Sequence, residues 1–239
     1  MIKVCKFGGT SMADGITMLR GRKILDSDAT RRYVVVSAPG QRFSGDAKVT
    51  DLLYETYDNV AMSGDTGEAF EKICDRFRGI VSELGLEMDI ETLLSETRAA
   101  ILAEATPDFC ASRGEYLSAR IMAELWNVPF IDARDVVKFG ADGRLDSERT
   151  YSLLGAALKG KKRAVVSGFY GEDENGKVKT FSRGGSDISG AIVARAAGVD
   201  LYENWTDVSG FLACDPRIVE NPMPIRALSY KELRELSYM

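Results

Sequence analysis

Residues 33–38, YVVVSA, form an unbroken apolar run rich in β-branched residues, with the length of a strand buried on both faces, and such strands belong to parallel sheets covered by helices. IKVCKF at 2–7, FIDA at 130–133 and RAVVSG at 163–168 share its character, and LYENWTDVSGF begins as another strand. Between these runs the apolar positions recur every three or four residues. This predicts a helix from Ser11 to Leu25 and three helices between Asp51 and Ala105 with breaks at Gly64, Gly67 and Gly85. Two more are expected over 112–126 and 147–158. Alternating strands and helices argue for an α/β fold with a mainly parallel sheet covered on both faces. One antiparallel insertion is expected, because Asn175-Gly176 lies between two extended segments of GFYGEDENGKVKTF. The charge run Glu172, Asp173, Glu174 at its tip reads as a solvated turn.

At 239 residues and 45% hydrophobic composition the chain can bury a full core, as one domain or one domain with two lobes. Its 31 basic and 36 acidic residues leave a net charge of −5, and the longest basic cluster is Lys159, Lys161, Lys162, Arg163, which argues against nucleic acid as a partner. No apolar stretch is long enough to span a bilayer and no secretory pattern opens the chain, so it reads as soluble and cytoplasmic. Cys5, Cys74, Cys110 and Cys214 are far apart in sequence with no C-x-x-C pair, and are expected to be buried free thiols. There is no histidine. Ser-His-Asp and Cys-His hydrolysis and His-ligated zinc are thereby excluded, leaving carboxylates, lysine, arginine, hydroxyls, backbone amides and a borrowed metal. At the C-terminus the helical pattern SYKELRELSYM stops without a capping glycine or proline, which reads as a cut chain.

Three turns carry chemistry. In open parallel sheets, ligands sit at the carboxyl ends of strands, where glycine permits close backbone approach and helix N-termini attract anions. KFGGTS fits this: Gly8 and Gly9 give the approach, Thr10 or Ser11 the cap, and Lys6 a mobile positive charge. It is not a Walker A loop, since its lysine precedes the glycines; an ordinary βα turn with a solvated lysine is the plain structural reading. FSRGGSD at 181–187 repeats the design, with Arg183 before the glycines and Ser186 or Asp187 as the cap of the next helix. An arginine fork suits a carboxylate or phosphate and a carboxylate suits an ammonium, so the pair reads as a clamp for an amino acid or as a charge-capped helix start. In TDVSGFLACDPR at 206–217, Thr206 and Asp207 end a strand and Gly210 and Pro216 make turns, as nucleotide-binding loops and plain turns both do. Glu115, after Arg113 and Gly114, reads equally as a site residue and as a first-turn acid favoured by the helix dipole.

KFGGTS, RGE, FSRGGSD and TDVSGFLACDPR, in that order and at these separations, resemble the aspartate kinases of the amino-acid kinase family over essentially all 239 residues. The resemblance implies an α/β/α sandwich of the amino-acid kinase, carbamate kinase-like type, as one catalytic domain over 1–239 with an amino-acid lobe at about 1–160 and a nucleotide lobe at about 161–239. It places Lys6, Phe7, Gly8, Gly9 and Ser11 at the triphosphate of ATP. Ser37, Thr50, Glu115, Arg183 and Asp187 fall to the aspartate, and Thr206, Asp207 and Arg217 to the nucleotide. Lys6 and Asp187 are the implied catalytic pair. Three departures stand out: Leu212 replaces a tyrosine that many members carry, the stretch APGQRFSGDAKV between Ser37 and Thr50 is long, and no further nucleotide loop or paired ACT domains follow.

The implied reaction moves the γ-phosphoryl group of ATP to the β-carboxylate of L-aspartate, the first step toward lysine, threonine and methionine. A carboxylate is ionised at neutral pH, so its attack requires no general base and no histidine. Catalysis then reduces to alignment and charge neutralisation, by Lys6, by Mg²⁺ carried mainly by the ATP and by backbone amides of the glycine turn. Another amino-acid kinase, acting on glutamate or acetylglutamate, and a non-catalytic nucleotide- or amino-acid-binding piece are the alternatives. The full-length enzyme is expected to be a homo-oligomer.

Overall fold

A computed structural model describes residues 1–182, 185–206, 210–215, 218–229, 231, 232 and 235. The described chain forms two compact units, 1–205 and 206–239. In the first, strand β1 (Lys3–Phe7) leads through a short 3-10 turn (Gly9–Met12) into α1 (Gly15–Asp26) and β2 (Arg31–Val36). Helices α2 (Val49–Ser63), α3 (Gly67–Leu84), α4 (Ile90–Ala103) and α5 (Pro107–Trp126) follow, then β3 (Phe130–Ile131), the single turn α6 (Ala133–Val136) and α7 (Ser147–Leu158). The unit closes with β4 (Ala164–Ser167), the hairpin β5 (Tyr170–Glu172) and β6 (Val178–Thr180), α8 (Gly185–Ala196) and β7 (Leu201–Trp205).

The five-stranded sheet runs β3-β4-β2-β1-β7 and every pairing in it is parallel, so all its strands end on the same side. Val34, Val35 and Val36 of β2 and Val165 of β4 are fully buried at the sheet centre, each contributing about 1.5–3 kcal/mol of apolar burial. Side chains alternate between the faces of β1. Phe7 packs toward Gly21 of α1, whereas Lys6 points toward α8. α1 and α5 therefore lie over one face, and α8, backed by α7, over the other.

Several local expectations are corrected. Neither Thr10 nor Ser11 caps α1: Asp14 does, in a reciprocal capping box with Thr17, because the intervening 3-10 turn delays the helix. The helix expected from residue 112 begins at Pro107, where the fixed φ of proline suits the first helical position and Thr106 accepts the Phe109 N–H. FIDA yields only two strand residues, since Asp132 caps the short turn α6. Ser186 and Asp187 lie inside the first turn of α8 and not ahead of it. Glu172 is no solvated tip residue; it is a strand residue that ties the hairpin to Lys138 at 2.6 Å and to Arg134 at 3.2 Å. The turn itself is organised by Asp173, whose carboxylate accepts the Asn175 and Lys177 N–H groups. Cys5, Cys74 and Cys110 are buried, but Cys214 is exposed.

In the second unit, Leu212 and Pro224 form an antiparallel bridge, closed by Ala213 N–H to Met223 O at 2.9 Å and Ile225 N–H to Phe211 O at 2.7 Å. Ser229 and Glu232 make a capping box at the head of the C-terminal helical pattern, most of which lies outside the described residues. No helix among the described residues is long and apolar enough to cross a membrane.

Candidate active site

The carboxyl ends of β1 and β2 meet the N-terminus of α8. Lys6 precedes the last residue of β1, and its side chain is only 10% exposed. Its ammonium lies 2.7 Å from Asp187 Oδ1 in the first turn of α8, where an acid also complements the helix dipole. The parallel register pairs Lys6 with Asn204, so both side chains share a face, and Asn204 donates to the same Asp187 oxygen at 3.0 Å. Lys6 is therefore a held charge and not the mobile one expected from the turn.

Phe7 occupies the opposite face. Its ring is fully buried, stacked on Trp205 with centroids 6.3 Å apart, and at the strand end it offers its carbonyl, which accepts the Ser37 N–H at 3.2 Å. Gly8 donates to Trp205 O at 3.2 Å and accepts the Ser11 N–H at 3.0 Å, which folds the turn. Gly9 meets the segment after β2 with no room for a side chain. Gly40 N–H donates to Gly9 O at 2.8 Å, and a Cβ on Gly40 would lie 2.8 Å from the Gly9 carbonyl carbon. Two backbones thus cross at van der Waals contact beside Lys6, a path only glycine permits.

The long stretch after Ser37 is tied down by a residue the sequence reading missed. Arg76 of α3, itself buried, reaches Asp46 at 2.6 Å, Gly40 O at 3.0 Å and Ala47 O at 3.1 Å. Asp46 also receives Arg42 through both carboxylate oxygens, and Arg42, then the field of Arg76, holds its acid well below the usual carboxylate range. Gln41 closes the loop by donating to Asp46 O at 2.7 Å. Thr50 follows, half-buried in the first turn of α2.

Glu115 stands in the third turn of α5, so the helix dipole does not account for it. It is buried, the nearby Ala38 backbone N–H favours its ionised form, and its Oε2 has no hydrogen-bond partner. Burial pushes its acid up to about 8, against the partial relief of that N–H and of Arg113. Gly114 lets the helix come this close, since a Cβ there would sit 2.6 Å from the Ala38 Cβ. Arg113 turns the other way, among the rings of Phe109, Tyr116 and Tyr170, with its guanidinium carbon 4.4–5.4 Å from their centroids.

Phe169, also unread from sequence, has φ of 75°, the left-handed region that a bulky residue rarely enters. Its ring lies against Gly185 at the start of α8, where a Cβ would meet it at 2.5 Å. No composition signal marks such a residue; only its place between SG and YG hinted at a bend. Arg183, Asp207 and Arg217 lie outside the described residues, and Thr206 belongs to the second unit. The first unit thus brings together Lys6, Gly8, Gly9, Ser37 and Asp187 at adjoining strand and helix ends, with Glu115 on the Ala38 backbone beside them. Among the described residues no three Cys, Asp or Glu side chains gather to hold a metal ion.

The chain is 48% identical to the aspartate kinase of Clostridium acetobutylicum, whose crystal structure superposes with a TM-score of 0.95 over 99% of this chain and 55% of that one. It is 34% identical to aspartokinase 3 of Bacillus subtilis over 251 residues, covering 99% of this chain and 55% of that protein. Escherichia coli aspartokinase III, crystallised with aspartate and ADP, matches at 28% identity and a TM-score of 0.79 over 94% of this chain and 53% of that one. The chain spans about half the length of these relatives. The family model for the amino acid kinase family matches residues 1–239, and with the parallel sheet and strand-end site just described, the chain belongs to that family.

Proposed function

We propose that this chain is the catalytic domain of an aspartate kinase, transferring the γ-phosphoryl group of Mg-ATP to the β-carboxylate of L-aspartate to give 4-phospho-L-aspartate and ADP. The observation that carries the reading is Lys6, a nearly buried cation held by Asp187 beside a side-chain-free glycine turn at the carboxyl end of a parallel sheet. Such a place suits a polyanion. The aspartate bound to the Escherichia coli relative supports the choice of acceptor.

In this reading the acceptor carboxylate attacks as the ion it already is at neutral pH, and the protein's task is to bring two anions together. Lys6 meets the transferring phosphoryl group. The Gly9 amide of the Gly8-Gly9 turn and the Ser11 hydroxyl receive the phosphates, with Phe7 and the Gly8 backbone shaping the turn. Asp187 orients Lys6 and leaves a half-exposed carboxylate at the site. Ser37, Thr50, Glu115 and Arg183 receive the amino acid, Arg183 taking its α-carboxylate and Glu115 its ammonium. Thr206, Asp207 and Arg217 receive the nucleotide. The amino-acid lobe would run to about residue 160 and the nucleotide lobe from about 161, and Mg²⁺ arrives with the ATP as part of the substrate. The test is ADP release from Mg-ATP with L-aspartate, L-glutamate or N-acetylglutamate in parallel. Release with aspartate alone is expected; release with either other acid and not with aspartate overturns the assignment.

A further inference from the structure

Among the described residues, two buried side-chain polar atoms have no hydrogen-bond partner, Glu115 Oε2 and Ser118 Oγ. They stand one turn apart on α5, a spacing that places Cβ atoms side by side at roughly 5–6 Å. Gly114, a full turn before Ser118, packs against Ala38, Leu53 and Val49, and the Ala38 backbone N–H acts on the Glu115 carboxyl. The Gly114 contact sets this face of α5 against Ala38, at the strand end where the site lies. A buried polar group without a partner is destabilising, and two of them side by side call for a shared ligand. A carboxylate and a hydroxyl both accept hydrogen bonds, and among the described residues no basic side chain forms an ion pair with Glu115. The complement is a small donor-only cation with several N–H bonds.

We propose that Ser118 is a further substrate-binding residue: with Glu115 it cradles the ammonium group of the amino-acid substrate, which donates one hydrogen bond to Glu115 Oε2 and another to Ser118 Oγ. The proposal rests on the aspartate kinase reading above and adds to it a second acceptor and a proton. In the free protein the Glu115 carboxyl holds its proton at neutral pH, because burial raises it. Arg113 on the same helix opposes this only in part. On α2, Tyr54 and Asp51 add no positive charge, and Tyr54 is itself raised, first by burial and then by the fields of Asp108, Glu115 and Asp51. β4 brings Ala164, valines and the Ser167 hydroxyl, which is engaged with Ala133 and Tyr170, and β2 brings valines where it packs near Ala38, while Lys179 of β6 lies over Phe139 and Lys6 of β1 is engaged by Asp187. When the ammonium arrives the carboxylate becomes the favoured form, so the O–H proton passes to solvent and one proton is released for each substrate bound.

Calorimetry at pH 7 in two buffers of different ionisation enthalpy tests this, with L-aspartate and with succinate, the same dicarboxylate lacking the ammonium. The wild-type chain is expected to release close to one proton on binding L-aspartate and none attributable to Glu115 on binding succinate. Ser118→Ala is expected to bind L-aspartate roughly tenfold more weakly, the worth of one charge-assisted hydrogen bond, with succinate unchanged. Glu115→Gln is expected to abolish the proton release. Equal effects of Ser118→Ala on both ligands, or none on either, overturn the inference while leaving the aspartate reading intact. Failure of the wild-type chain to bind L-aspartate overturns both.

Discussion

Lys6 and Asp187 are joined by an ion pair of 2.7 Å that ties the end of the first strand to the first turn of α8. The strand residue is nearly buried and the helix residue half-exposed, so the pair fixes where a positive charge points without withdrawing it from ligands.

Removal of that charge by Lys6→Ala is expected to lower turnover by a factor on the order of 10² to 10³, the usual loss of one transition-state donor. Asp187→Ala, which frees Lys6 from its tether, should also reduce turnover while leaving the chain folded. Steady-state kinetics with circular dichroism as the folding control check both, and a loss under about threefold for Lys6→Ala contradicts its role.

Glu115 gives the free chain a pH dependence of a stated sign. Its folded-state acid is raised to about 8 from an ordinary value near 4.5, so the folded chain binds more protons than the unfolded one between those values. Its contribution to stability is therefore complete below about pH 4.5 and falls as the pH rises toward 8, levelling off above. Glu115→Gln removes this slope. Urea midpoints at pH 5, 6, 7 and 8 should show the variant gaining on the wild type at each step; parallel curves would mean that Glu115 stays ionised throughout.

The contact of Gly114 with Ala38 makes Gly114→Ala an overpacking change, expected to cost about 1–3 kcal/mol in chemical denaturation. The same substitution at Gly79, in the interior of α3, where a Cβ meets nothing within 4 Å, is expected to stabilise by about 0.5–1 kcal/mol. Equal effects at the two sites would remove the close approach from the account of the fold.

Arg76→Ala strips a buried partner from Asp46 and a donor from Gly40 O and Ala47 O. Breaking a buried pair on one side costs about 3–5 kcal/mol, and the value here belongs at the lower end because Arg42 still engages Asp46. Since the loop presses Gly40 onto Gly9, the KM for ATP should rise more than the KM for aspartate. Equal changes in both constants would indicate general loosening.

The sheet was legible because buried parallel strands write themselves as apolar, β-branched runs: Tyr33 to Val36 and Ala164 to Val166 could be read without knowledge of their neighbours. The three helices between α1 and α5 were legible for a similar reason, their apolar positions keeping a helical period. The site was legible only as turns. KFGGTS announced glycine approach and a charge, but the partner of Lys6 depended on the register that sets Asn204 and Asp187 on its face, and register is a property of the assembled sheet. Arg76 and Asp46 stand 30 residues apart, each an ordinary polar residue in its own segment, so nothing local marked them as a pair. Phe169 was hidden for another reason: its left-handed backbone is imposed by the packing around Gly185 and not by its own preference.

The central claim is that an acyl phosphate forms on the side chain of aspartate. It is tested most directly by incubating the chain with Mg-ATP, L-aspartate and hydroxylamine and identifying the trapped product by mass spectrometry. The account predicts β-aspartyl hydroxamate in amounts equal to the ADP released, and none with Lys6→Ala beyond about a hundredth of that yield. Binding of ATP and aspartate with no hydroxamate formed would contradict it, and would make the chain a binding module and not a kinase.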